Sequence, residues 1–324
     1  MDLDRFALDH LRPTGLFTHA EAQARGINRR ELQRLLYAGS VVAVGSGHYV
    51  DVQRWDGVAA NHRMALRSWA LSTRFSVQPV LSHRAAAALH HLPLLPSAGD
   101  RDHDRRIHLT GNQPGRTIST GAYTIHSAYG TDQCSQSING MSLVLPVLAA
   151  FGIAEIHGFT AGVVALDAAL HTKIASVDEA WMWLSHLPRR PSSATIRRVI
   201  QHSDSRSESP LESQARLIIN ALGYTYAPQV VLRTSDGHFL GRVDGLIEAL
   251  GVVVEVDGRI KYTGDHGRGS VEAVVSEKHR ESAIRDLGYA FIRLDHAALQ
   301  DPTQIDVRIR AAARRAHPDV CRRT

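Results

Sequence analysis

The chain has 324 residues, 44% hydrophobic and 21% charged, an ordinary globular balance with room for two or three cores. No apolar run approaches a membrane span, the acidic start Met1–Pro13 is unlike a signal peptide, and Cys134 and Cys321 supply neither a disulfide framework nor a zinc set. The expectation is a cytoplasmic protein with no membrane partner, whose net charge of +5 and pI near 9.5 are compatible with a nucleic-acid partner.

The first 55 residues predict a helix-rich unit closed by a hairpin. Thr18 to Glu21 (THAE) is a capping-box pattern opening a short helix that Gly26 ends. Asn28 to Glu31 (NRRE) repeats it and opens a second helix, with Leu32, Leu35 and Leu36 at helical spacing and Gly39 as the stop. Val41–Val44, a turn at Gly45–Ser46–Gly47 and His48–Val50 follow as two short strands. Helix, turn, helix, hairpin is the order of a winged helix-turn-helix.

Residues 56–202 predict a mixed α/β region. Ser82–Leu92 reads as an alanine-rich helix, Arg106–Thr110 and Tyr123–Ala128 as strands, and Leu143–Ile153, Phe159–His171, Ser176–Leu187 and Ser193–His202 as helices. Its histidines lack metal-ligand spacing, and core or surface roles are expected for them. The chain carries no phosphate-binding glycine loop, HExxH or nucleophile elbow.

Ser203–Ser209 (SDSRSES) reads as a polar linker, the clearest domain boundary. A third domain, 207–324, then runs helix Pro210–Leu222, strands Gln229–Arg233, Phe239–Ile247 and Val252–Asp257, a glycine-rich loop, a helix near Val271–Leu287 and strand Tyr289–Leu294. Arg308–Thr324 reads as a basic helix, mainly a solvated face. The order α-β-β-β-α-β matches a restriction-endonuclease-like core, and the whole chain is expected to be α/β (α+β).

Acids stand inside apolar strands of this last domain. A tight hairpin centred between Ala249 and Leu250 sets Asp244 opposite Glu255, and Asp257 shares Glu255's face two residues on. Directly opposed like charges destabilise a sheet, so a compensating cation is expected, and Mg²⁺ or Mn²⁺ suits carboxylate oxygens. Asp244, Glu255 and Asp257 are the candidate metal ligands, with Glu212 on the preceding helix able to lend an acid. Lys261, one of three lysines (with Lys173 and Lys278) in an otherwise arginine-basic chain, lies just past the strand end to meet phosphate or water. Each also has a plainer reading. Glu212 completes a capping box with Ser209; Asp257–Gly258 is a turn signal; Asp244 can pair with Arg242 or Arg259; the Glu277–Arg280 run is a solvated helix face, with Lys278 or Arg280 on a scissile strand as the minority reading.

SPLESQARL (Ser209–Leu217), GRVD (Gly241–Asp244), VEVDGRIK (Val254–Lys261), EKHR (Glu277–Arg280) and LGYAFIR (Leu287–Arg293) together resemble the domain related to very-short-patch-repair endonucleases, in the PD-(D/E)XK nuclease superfamily. The resemblance covers about residues 207–300. It implies Asp244 and Glu255 as paired acids and Glu212 as the helix acid; Asp257 stands where the common pattern has lysine. Gly15–Thr18, Gly26–Ile27, Leu35 to Gly39, Gly47–Val50 and SHRAAAALHHL (Ser82–Leu92) resemble AbiEi-type antitoxins over about residues 10–180. In a winged helix of that kind the second helix enters the major groove, making Arg29, Arg30, Gln33 and Arg34 the DNA-contacting candidates, with His48 at the wing. The expected function is a double-stranded-DNA-binding, metal-dependent endonuclease or nickase acting in defence or repair. The alternative is a non-enzymatic repressor or antitoxin of a type IV toxin–antitoxin-like system with a degenerate nuclease fold. Partners besides DNA would be a second copy or a cognate toxin.

Overall fold

The structure, a computed structural model, describes residues 16–76, 79–95, 106–111, 117–127, 132–138, 141–234, 236–257 and 271–317. The chain is mixed α/β and divides into two compact units, Met1–Gln201 and His202–Thr324; residues 1–55 and 56–201 fall together in the first.

In the first unit, Thr18 caps α1 (His19–Ala24): its hydroxyl accepts from the Glu21 N–H at 3.2 Å, and the Glu21 carboxylate accepts from the Thr18 N–H at 2.7 Å. Asn28 caps α2 (Arg29–Tyr37) by accepting from the Glu31 N–H. Gly39, at φ 69°, then turns the chain in a left-handed conformation that a side chain would strain. β2 (Val41–Gly45) and β3 (His48–Asp51) form the expected hairpin, and β1 (Phe17–Thr18) adds a strand that the sequence did not announce, giving the order β1-β3-β2.

Two helices, α3 (Val52–Asp56) and α4 (Ala60–Ser72), lead to a six-stranded sheet ordered β6-β7-β5-β4-β9-β8. Its strands are β4 (Val80–Leu81), β5 (Ile107–Thr110), β6 (Ile118–Ser119), β7 (Tyr123–His126), β8 (Ser135–Ile138) and β9 (Met141–Val144). Every residue of α5 (His83–Leu89) is buried. The two helices expected over 143–171 join into α6 (Pro146–His171), broken at Gly158 (φ 80°, ψ −171°). By length and composition α6 is the one described helix apolar enough to cross a membrane, yet 67% of its apolar window is buried inside the unit, as in a core helix. α7 (Val177–His186) and α8 (Ser193–His202) follow.

The stretch expected to be a polar linker is instead folded into the second unit. Ser207 is buried, Arg206 forms a two-pronged ion pair with Asp204, and the buried Arg216 donates to Ser207 Oγ and to the His202 carbonyl. A buried guanidinium needs acceptors, and the serine-rich segment provides them. α9 (Pro210–Ala221) leads into the sheet β10-β11-β12-β13, formed by Ala227–Arg233, Phe239–Ile247, Val252–Asp257 and Ala290–Asp295. The first three strands run antiparallel and β13 pairs parallel to β12, reached through α10 (Val271–Asp286). Val252 and Val254 pack with Ala215 and Ile219 of α9 and with Ile305 and Ile309 of α11 (Pro302–Ala313). Val253 packs on the other cluster, with Ile284 of α10 and Phe291. Burial on both faces explains a valine run without alternation. The expected basic tail helix starts earlier, at Pro302, and is amphipathic: Ile305, Ile309 and Ala312 point inward while Arg310 pairs with Asp306 at 2.8 Å. Residues 318–324 lie outside the described residues.

Candidate functional site

The hairpin of the second unit has the register expected from its sequence. Ile247, Leu246 and Gly245 pair with Val252, Val253 and Val254, around a 3₁₀ turn closed by Gly251 at φ 60°. The next pair in that register would be Asp244 with Glu255, and the ladder stops short of it. Beyond this point β11 continues along β10 and β12 continues along β13, so the sheet forks with the two acids at its lips. Asp244 Oδ2 accepts from the Val256 N–H at 2.8 Å, a carboxylate standing in for a ladder carbonyl. Arg280 of α10 bridges the opening, donating to the Arg242 carbonyl at 3.1 Å and to Glu255 Oε1 at 2.7 Å. Arg293, the β13 residue paired with Glu255, reaches Glu255 Oε2 at 3.2 Å. The like-charge conflict is thus relieved by guanidinium groups. Burial works against the charge on Arg293, but Glu255, Glu281 and Asp257 outweigh it and raise its pKa, which places Asp257 in the same electrostatic cluster.

A further acid, on α9, acts with Asp244 on a neighbouring tyrosine. Glu212 is buried, its N–H donates to the capping Ser209 hydroxyl at 3.2 Å, and its Oε2 accepts from the Glu208 N–H and from Gln229 Nε2 at 2.9 and 2.8 Å. Capping and site roles therefore coexist in one residue. Gln229 holds a left-handed backbone (φ 54°) inside strand β10, between the residues paired with Gly245 and Val243. Strain of this kind in a bulky residue persists where surrounding contacts enforce it, often at functional sites. Tyr226 donates to the Asp244 carbonyl at 3.1 Å. Burial, then the charges of Asp244 and Glu212, push its phenol pKa well up, so both carboxylates act on one buried ring.

Of the residues expected at this site, Asp244 and Glu255 stand at adjoining positions of the forking strands, Asp257 acts with Glu255 on Arg293, and Glu212 acts with Asp244 on Tyr226. Lys261 lies outside the described residues, as do Gly258 and Arg259. Arg242, the alternative partner for Asp244, pairs instead with Glu208 at 2.7 Å. Lys278 is exposed, whereas Arg280, with Arg293, pairs with Glu255 at the fork. Tyr226, Gln229 and Arg293 went unnoticed in the sequence; only the strand alternation of FIRLD hints that Arg293 shares a face with its neighbour's acid. Asp244 and Glu255 are hard oxygen donors on facing strands and fit a divalent cation of the Mg²⁺ class. In the structure Glu255 is committed to two arginines, so cation binding there would exchange with Arg280 or Arg293.

In the first unit, Arg29, Arg30, Gln33 and Arg34 are all exposed on α2, while Leu32 is buried beneath them. Arg34 has a 3.4 Å contact with Glu31, and Tyr37, one turn on, is 94% exposed and extends the same face. His48 is half-buried, its ring edge-on to Trp69 at 5.0 Å, so it is packed against the unit rather than displayed at the wing.

In the first unit three of the histidines, two of them buried as core side chains, come together. One ring nitrogen each from His83, His108 and His126 lies within 4.8 Å of the others. His108 Nδ1 and His126 Nε2 are 2.7 Å apart, and His83 stacks on His126 with ring centres 3.7 Å apart. Glu155 of α6 sits beside them: Oε2 is 3.2 Å from His83 Nε2, and Oε1 accepts from Arg190 at 3.0 Å and Ser192 at 2.8 Å. Burial pushes the Glu155 carboxyl up, but His83 and Arg190 outweigh it and hold it at about 2. Burial, then His83, lowers the His126 imidazole to about 3. Spacings of 25 and 18 residues match no ligand motif, which is why the sequence concealed the cluster.

Compared with protein-family models, curated proteins and solved structures, the chain has no match.

Proposed function

We propose that the protein binds double-stranded DNA through a winged helix-turn-helix formed by α1, α2 and the β2–β3 hairpin. It hydrolyses phosphodiesters with Mg²⁺ or Mn²⁺ at the fork of a restriction-endonuclease-like second unit. The fork carries this reading: two carboxylates from diverging strands, with Asp257 acting on the arginine that Glu255 holds and Glu212 acting with Asp244 on Tyr226. Asp244 and Glu255 would hold the cation. When bound, it would polarise the phosphate and lower the pKa of a water. Asp257 and the Gln229-oriented Glu212 order that water through their carboxylates. Lys261, with Arg280 once released from Glu255, supports charge on the phosphate, as guanidinium and ammonium groups do. Arg29, Arg30, Gln33 and Arg34 supply groove and backbone contacts, and Tyr37 adds an aromatic face beside them.

One observation favours a second reading. Glu255 is already neutralised by two arginines, as expected if the nuclease fold has become a DNA- or toxin-binding repressor or antitoxin. Supercoiled plasmid incubated with the protein under varied metals separates the two. Nicking or linearisation that needs Mg²⁺ or Mn²⁺ and is lost in Asp244→Asn and Glu255→Gln supports the nuclease. Retention of DNA on a gel without cutting in any metal supports the repressor or antitoxin.

A further inference from the structure

We propose that His83, His108 and His126 form a second metal site in the first unit, for a nitrogen-preferring ion of the Zn²⁺ class, with Glu155 as the carboxylate that orients His83. Three elements deliver the ligands. His108 lies on β5 and His126 on β7, paired so that Thr110 faces His126 and His108 faces Thr124, which puts both imidazoles on one face of the sheet. His83 opens α5 directly after β4 and Ser82, whose N–H donates to the His108 carbonyl at 2.9 Å. Its backbone is left-handed (φ 48°), an uncommon conformation for a side chain of that size and one held here at the start of a fully buried helix.

The surroundings are built around that ring. Gly152 of α6 lies so close that an added Cβ would sit 2.7 Å from His83 Cγ. One turn further along, Glu155 presents its carboxylate to His83 Nε2. A histidine ligand whose other ring nitrogen faces a carboxylate is the usual second layer of a zinc centre, which leaves His83 Nδ1, 3.0 Å from the Ser82 hydroxyl, as the nitrogen that exchanges that contact for the ion. Imidazole donors suit Zn²⁺ and are poor ligands for Mg²⁺, so this site and the fork select different metals. Tetrahedral Zn–N bonds separate ligand nitrogens by about 3.3 Å, so the 2.7 Å His108–His126 pair opens slightly on binding and the hydrogen of its donor ring moves to that ring's other nitrogen. The His83–His126 stack also requires one ring to turn about its Cβ–Cγ bond. His126 is the one with room: it lines a cleft of about 760 Å³, together with Glu155, Ser127, Ser192, Arg190 and Arg198. That cleft is the entry path for the ion.

The test is titration of the full-length, chelator-stripped protein with Zn²⁺ and with Co²⁺. The expected result is one tight equivalent with a tetrahedral-type Co²⁺ visible spectrum and a raised melting temperature. His126→Ala, at the cleft rim, should abolish the Co²⁺ spectrum. Glu155→Gln should weaken affinity by about 10–100-fold and shift the spectrum. An Asp244→Asn/Glu255→Gln double variant should still bind the equivalent, separating this site from the fork. No tight equivalent in the wild type, or an unchanged affinity and spectrum in His126→Ala, would show the trio to be neutral core side chains and overturn the proposal.

Discussion

Gly245 and Tyr226 are a coupled pair at the base of the fork. A Cβ on residue 245 would lie 2.0 Å from the Tyr226 ring, a distance the buried phenol cannot relieve without leaving its bond to the Asp244 carbonyl. Gly245→Ala is therefore expected to destabilise the second unit by about 1–3 kcal/mol or more, read by urea unfolding. Tyr226 also reports the two acids. Its pKa is raised above the ordinary 10.0, so its contribution to stability is complete below pH 10 and is lost as the pH climbs through the folded value. Ultraviolet titration should show Tyr226 ionising last among the tyrosines, and earlier in Asp244→Asn; an unchanged midpoint in that variant would mean the carboxylate does not act on the ring. Asp244 and Glu255 were legible in the sequence because acids stand out in valine-rich strands. Tyr226 and Gln229 were not, because their roles arise from a strand neighbour and a left-handed backbone that local composition does not encode.

The hairpin β11–β12 sets where the acids meet, and α10 supplies the cation that joins its lips. The register was readable from the turn alone, since a short hairpin loop fixes which residues face each other. What lay beyond the last paired residues was not, because it depends on which strands outlive the ladder. Arg280→Ala removes a partly buried partner of Glu255 while leaving Arg293 in place. The expected cost is roughly 1–3 kcal/mol of stability, largely absent when Glu255→Gln is already present, as a double-mutant cycle would show. Additive losses would mean that Arg280 and Glu255 do not act on each other. The serine-rich segment before α9 shows the opposite limit of sequence reading. Its composition signals a linker, yet the demand of buried Arg216 for acceptors folds it into the unit.

Across the whole chain, element order was legible in the second unit and in the first unit's opening helices and hairpin, while α3, α4, four strands of the six-stranded sheet and long-range convergence were not. Hydrophobic periodicity and caps located the helices, and strand propensity located the second unit's sheet. The histidine cluster needed a six-stranded sheet to bring 83, 108 and 126 together, and no local pattern foretells that crossing. The two units thus offer two donor chemistries: imidazole nitrogens in the first and carboxylate oxygens in the second. The central claim concerns the second, that the fork's carboxylates take a divalent cation in exchange for their arginines. Calorimetric titration of Mn²⁺ into the His126→Ala protein tests it most directly, since that background silences the imidazole site. Binding that is lost in Asp244→Asn and in Glu255→Gln, and tightened in Arg280→Ala, is the predicted result. Failure to bind Mn²⁺, or binding indifferent to all three substitutions, would contradict it.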